Sequence, residues 1–130
     1  MKIGISSTGK EIDSQIDPRF GRCRYFLIVD IDTMNFESIS NESTLASGGA
    51  GIQAAQTVAR AGVEIVITGN IGPNAFQTLS SAGIKVFTGA NGTIKQIIEK
   101  HKKGELKETE TPNVNSHFGM RAVGKGFGRS

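Results

Sequence analysis

The segment DPRFGRCRY, residues 17–25, places the only cysteine of the chain, Cys23, among Arg19, Arg22 and Arg24. Cations this close favour the thiolate, the form of cysteine that attacks electrophiles or ligates metal. A lone cysteine serves equally well as a small buried hydrophobe, and arginines flanking a strand are often simply solvated. A loop position beside Gly21 leaves both readings open. The second group of chemically interesting residues is a set of glycine-rich loops. Ser47, Gly48, Gly49, Ala50 and Gly51 lead into one amphipathic stretch, and Gly69, Asn70, Ile71 and Gly72 lead into another through Pro73. A third runs from Gly89 to Gly92, ahead of Thr93. A loop that empties onto a helix start gathers free N–H groups and positive dipole, so it suits an anion or an electron-rich ligand. At residues 47–51 the glycines either cradle such an anion or merely permit a sharp entry into the helix.

Several familiar chemistries are absent. There is no GxxxxGKS/T phosphate loop, and no GxGxxG follows a strand and opens a helix. The run Gly124, Lys125, Gly126, Phe127 and Gly128 has the glycines without that context. No histidine and carboxylate stand where they would activate a serine, so a hydrolase triad has no support. One cysteine excludes an internal disulfide and cannot alone make a structural zinc site. His101 lies on the edge of a helical apolar stripe and reads as structural or exposed. The triplets starting at Asn41 and Asn91 match a glycosylation pattern that has no meaning without secretion. Catalysis therefore lacks an acid, base or nucleophile pair, and the chain reads as a binding protein rather than an enzyme.

The elements that must hold these loops are legible in the periodicity. Residues 2–6 alternate as a strand, 24–32 form a strong central strand, and 36–40 return beside it after a turn, giving an antiparallel meander. Residues 11–22 lack periodicity, contain Pro18, and form a loop or small hairpin crossing the sheet edge. Residues 51–61 follow as a small-residue helix and 63–67 as a buried strand. Pro73 opens a helix over 73–82, where its missing N–H is no loss. Residues 82–89 echo 61–69, and 93–102 form a third helix. This repeat predicts consecutive βα units with parallel strands and right-handed crossovers. The expected fold is α/β: a ribonuclease H-like three-layer arrangement with a mixed five-stranded sheet and about three helices. The first strand, KIGIS, carries no carboxylate for a divalent metal, which argues against a two-metal nuclease.

With 130 residues the chain suits one domain, expected over 1–111, with charged residues 103–111 ending the fold. Residues 112–130 form a glycine-rich basic tail expected to be disordered. The net charge of +3 is carried by Arg121, Lys125 and Arg129, leaving the first 120 residues formally neutral. With one tyrosine and no tryptophan, nucleic acid is not an expected partner. A docking role for the basic tail would show as binding that collapses with salt. No apolar run approaches the roughly 18 residues of a membrane span, and residues 1–6 enter a strand directly, so cytoplasmic residence is the default.

If the first strand is antiparallel to the second and parallel to that at 63–67, loops 6–9, 20–23, 46–51, 69–72 and 89–92 share one sheet edge. Cys23 is then expected at the mouth of the site.

The strings DPRFGRCRYFLIVD and GGAGIQAAQTVARAGVEIVITGNIGPNAFQTLSSAGIKVF, with the glycine-rich basic tail, closely resemble the dinitrogenase iron-molybdenum cofactor biosynthesis family. The resemblance covers about residues 1–107. It implies a ribonuclease H-like fold and a non-enzymatic role binding or carrying an iron-sulfur or iron-molybdenum cluster, passed between a donor and an acceptor protein by a monomer or weak homodimer. By this resemblance Phe20, Gly21 and Arg22 match the family's FGR, with Cys23 the implied iron ligand. Gly49, Ala50 and Gly51 match the loop opening the first helix, and Asn70, Gly72 and Pro73 the second. Many relatives carry a histidine just before the first of these loops, where this chain has Ser47 and Gly48. One thiolate cannot supply the ligands of an ordinary cluster, so binding would need a partly self-liganded cluster, a second subunit, or His117 from the tail. A small-anion module for a nucleotide or phosphate ester, using the same helix starts without metal, is the alternative.

Overall fold

The computed structural model describes residues 1–42 and 49–112. Alternating and apolar segments build β1 (Lys2–Ser7), β2 (Tyr25–Asp30) and β3 (Phe36–Ser40). Then follow α1 (Ala50–Arg60), β4 (Ile65–Ile67), α2 (Pro73–Ser81), β5 (Lys85–Phe87) and α3 (Ile94–Lys102). These are the expected elements with ends shifted by a residue or two. Thr93 is not in α3 but caps it: its side chain accepts from Gln96 N, while Gln96 returns a bond to Thr93 N.

The five strands form one mixed sheet in the order β3-β2-β1-β4-β5. β1 lies antiparallel to β2, pairing Ser7 with Tyr25, and parallel to β4, pairing Ile5 with Ile67. β4 and β5 are parallel, β2 and β3 antiparallel, as expected of a meander followed by βα units. Because side chains alternate along each strand, the sheet presents two apolar faces. On one, Phe26, Ile28, Val66 and Val86 pack with Ala54, Ala55 and Val58 of α1 and Ala75 and Leu79 of α2. On the other, Ile3, Ile5, Leu27 and Val29 pack with Ile94, Ile97 and Ile98 of α3. Small residues on α1 and α2 let those helices lie close together over the first face.

Two features depart from the sequence reading. Residues 103–112 do not simply end the fold: Glu108 bridges to Phe87, Thr109 N donates to Val86 O at 2.7 Å, and Thr88 N donates to Thr109 Oγ1 at 2.9 Å. This strap covers the outer edge of β5, and a contact so short has no periodicity to betray it. The loop from Gly89 to Gly92 also turns toward the α3 face, where Gly92 O accepts from Ile16 N at 2.9 Å. It nonetheless stays on the shared edge, Gly89 N donating to Gly69 O at 2.9 Å, while α3 packs on the face of the sheet opposite α1 and α2.

Candidate functional site

Three loops converge at the carboxyl ends of the central strands around a cavity of about 720 Å³. One wall is Arg19 to Arg22, a second is Gly49 to Ile52 at the start of α1, and the third is Asn70 to Ala75 at the start of α2. Phe20, Ile71, Ala50 and Ala75, all buried, give it an apolar base. Phe20 is fixed from below by Phe26, their ring centroids 5.2 Å apart. Of the residues expected here, Phe20, Gly21, Arg22, Gly49, Gly51, Asn70, Gly72 and Pro73 do line it. Ser47, Gly48 and His117 lie outside the described residues.

The walls are stitched together by backbone. Asn70 N donates to Pro18 O at 2.7 Å and Phe20 N donates to Asn70 O at 3.3 Å. Glycines permit the close passages. A Cβ on Gly69 would sit 2.7 Å from Pro18 Cα, one on Gly21 would sit 3.1 Å from Gly51 Cα, and one on Gly51 would sit 3.2 Å from Ala75 Cβ. Each of these three glycines lets two segments of the backbone pass in close contact. Gly49 is different: its φ of 71° is left-handed and open space surrounds its absent side chain, so it is there for the turn.

The electrostatics of the cavity favour an anion. α1 begins at Gly49 and α2 at Gly72; neither has a side-chain cap or an acidic residue in its first turn. α3, away from the cavity, has a complete capping box. Glycine caps leave the first N–H groups of both helices to water or to a ligand, together with the positive ends of two dipoles. Arg19 and Arg22 line the same space, and no carboxylate, imidazole, thiol or hydroxyl does so among the described residues. Arg19 is held at the rim by the buried carboxylate of Asp17, to which its Nε and Nη2 donate at 3.3 Å each. That bond, and the charge behind it, raise the Arg19 pKa further.

Cys23 is not at the mouth. It is fully buried, its Sγ donates to Phe20 O at 3.4 Å, and Asn41 Nδ2 lies 3.6 Å from the sulfur. Burial, and next the charge of Asp17, push its pKa from 9.0 up to about 12. The thiolate expected from neighbouring arginines is therefore reversed. Arg19 is engaged by Asp17, Arg24 lies over the Tyr25 ring at 5.7 Å, and desolvation outweighs what remains. The folded protein holds the thiol proton more tightly than the unfolded chain does. Its contribution to stability is complete below about pH 9 and lost as pH climbs toward 12. Denaturant titrations should show wild type losing about 1.4 kcal/mol per pH unit relative to Cys23→Ala across that window, and parallel profiles below it. Among the described residues no group of three His, Cys, Asp or Glu side chains could hold a metal ion. His101 stacks edge-on against Phe87 at 5.3 Å, with its pKa lowered by burial, in keeping with a structural role.

The residue that sequence reasoning missed is Asn41. It is almost wholly buried, and its amide donates to Cys23 O at 2.9 Å and to Gly21 O at 3.4 Å, bracing the first wall. In the sequence it shows only as the start of a glycosylation-like triplet, and nothing there marks it as part of a site.

The family model for the dinitrogenase iron-molybdenum cofactor matches residues 1–104. The apo form of the orange protein from Desulfovibrio gigas is 39% identical, with a TM-score of 0.85 over 86% of this chain and 95% of that one. A Thermotoga protein provisionally named NifB is 37% identical, with a TM-score of 0.73 over 86% of this chain and 97% of its own. An uncharacterized protein of Methanocaldococcus jannaschii is 32% identical over 85% of this chain and 97% of the relative. With most of its length matched by the family model, the chain belongs to the dinitrogenase iron-molybdenum cofactor family.

Proposed function

We propose that this protein is a non-enzymatic carrier of a preassembled, anionic iron-sulfur or iron-molybdenum cluster, held in the cavity by charge and N–H groups rather than by a protein thiolate. The observation that carries the reading is the pair of helices starting at glycine caps on one cavity that has arginines and, among the described residues, no carboxylate. The residues present do not fit a conventional cysteine-liganded cluster, since the single thiol is buried below the wall. They do fit an anion that arrives with its own sulfide or other ligands: Arg22 and the first N–H groups of α1 and α2 face its charge, while Phe20 and Ile71 lie against its soft surface. The scaffold is read as ribonuclease H-like, from a meander whose first strand is flanked by a parallel βα unit.

The lining groups also support transport over catalysis. Among the described residues no side chain there can take up or deliver a proton near neutrality, and an intact cluster needs only to be accepted and released. A carrier of this kind exchanges its cargo with a donor and an acceptor protein. No helix of the described residues is long and apolar enough to cross a membrane. Cytoplasmic residence and a folded unit of residues 1–111 followed by a separate tail belong to the same proposal.

Anaerobic reconstitution with iron and sulfide, with and without molybdate, tests the reading by iron content and visible absorption after desalting. Near-stoichiometric uptake of cluster, lost in Arg22→Glu, is expected. Failure of wild type to retain any cluster, alongside saturable binding of inorganic phosphate by calorimetry, would replace the carrier with a small-anion module.

A further inference from the structure

We infer that Asn41 is the positioning residue of the cavity, a latch that ties the Gly21–Cys23 wall to the end of β3 and so sets the separation of Arg22 from the start of α1. This rests on the carrier reading of that cavity. Asn41 is the first residue past β3 and only 3% exposed. Its backbone N–H donates to Arg24 O at 2.9 Å, carrying the β2–β3 ladder one bond beyond the Tyr25–Ser40 pair. Its side chain then continues where the backbone stops. Nδ2 donates to Cys23 O at 2.9 Å and reaches Gly21 O at 3.4 Å and the Cys23 sulfur at 3.6 Å.

The side-chain type matters. A carboxamide offers two donor hydrogens, and here it meets two carbonyl oxygens and a sulfur, all acceptors. Aspartate at the same place would present only acceptors to acceptors, and alanine or serine is too short to span from β3 to Gly21. What the latch holds is in turn the gauge of the cavity. A Cβ on Gly21 would lie 3.1 Å from Gly51 Cα and 3.2 Å from Gly51 N, so the turn and the start of α1 are in contact with no slack. Arg22 is the next residue. Movement of the turn by a few tenths of an ångström therefore shifts one wall cation relative to one helix N-terminus, the two groups on which anion binding depends. The thiol beneath reports the same movement, because Cys23 is buried by the turn that Asn41 closes.

The test combines two readings on Asn41→Ala. The first is the rate at which Cys23 reacts with Ellman's reagent under native conditions. The second is the rate of iron loss after anaerobic reconstitution. Ile97→Val, in the core on the opposite face of the sheet, is the comparison, with all proteins brought to equal global stability by urea. Asn41→Ala should label about tenfold faster than both wild type and Ile97→Val, as befits the loss of one or two hydrogen bonds, and should lose iron faster by a similar factor. Asn41→Ser carries the test with the same outcomes if Asn41→Ala does not fold. Labelling of the Asn41 variant at the rate of Ile97→Val overturns the latch. Absence of iron uptake by wild type would overturn the carrier reading alone, since the labelling comparison needs no ligand.

Discussion

Gly72→Asp should gain stability while losing its ligand. Gly72 sits at the start of α2 with φ −86° and ψ 173°, an extended geometry open to any residue, and it provides no side-chain cap. Aspartate there can accept from the first-turn N–H groups and complement the helix dipole, adding about 0.5 kcal/mol to stability. The same carboxylate occupies the place assigned to the anionic cargo and repels what remains. A like charge about 4 Å from the cluster costs about 4 kcal/mol at the effective dielectric of a protein surface, so retention of reconstituted iron should fall by roughly a thousandfold. Guanidinium melts and iron content after desalting give the two readings. Loss of both stability and iron would mean only that the fold was damaged, and unchanged iron would place the cargo elsewhere.

Gly69→Ala should be among the most damaging single-methyl changes in the chain. The added carbon would sit 2.7 Å from Pro18 Cα, 2.8 Å from its Cβ and 3.0 Å from its carbonyl oxygen, and most of that obstacle is backbone. The Pro18–Phe20 strut would have to move, straining the 2.7 Å bond from Asn70 N to Pro18 O that joins two cavity walls. Overpacking against unyielding atoms costs about 2 to 3 kcal/mol. Gly49→Ala is the natural contrast. There no atom lies within 4 Å and the cost is conformational, at a φ of 71°, about 1 kcal/mol. Chemical denaturation should rank Gly69→Ala well below Gly49→Ala. The reverse order would mean that close packing, and not turn geometry, has been misassigned at these loops.

These two glycines show what the sequence can and cannot reveal. The order and type of the elements are written in strong local signals: alternation in the first strands, the proline and small residues of α2, and the repeat linking residues 61–69 to 82–89. From those signals the meander, the parallel βα units and the shared edge of three loops follow by topology. The reason for each glycine does not, because it depends on which backbone passes by. Gly69 answers to Pro18 and Gly21 to Gly51, contacts across long stretches of chain. Cys23 is the sharpest case. Flanking arginines were visible and burial was not, and a three-residue turn closed by Asn41 decided between them. The β5 strap and the packing of α3 on the face opposite α1 and α2 are hidden for a related reason, since the face on which a helix packs is set by the whole pattern of apolar faces.

The central claim, that the cavity holds an anionic cluster without a thiolate, is tested most directly by anaerobic reconstitution of wild type and Cys23→Ala side by side. Iron content and visible absorption are measured on both after desalting. Equal, near-stoichiometric uptake by the two proteins is the predicted result. Uptake by wild type that disappears in Cys23→Ala, with the variant still folded, would contradict it and make the buried thiol a metal ligand exposed on binding.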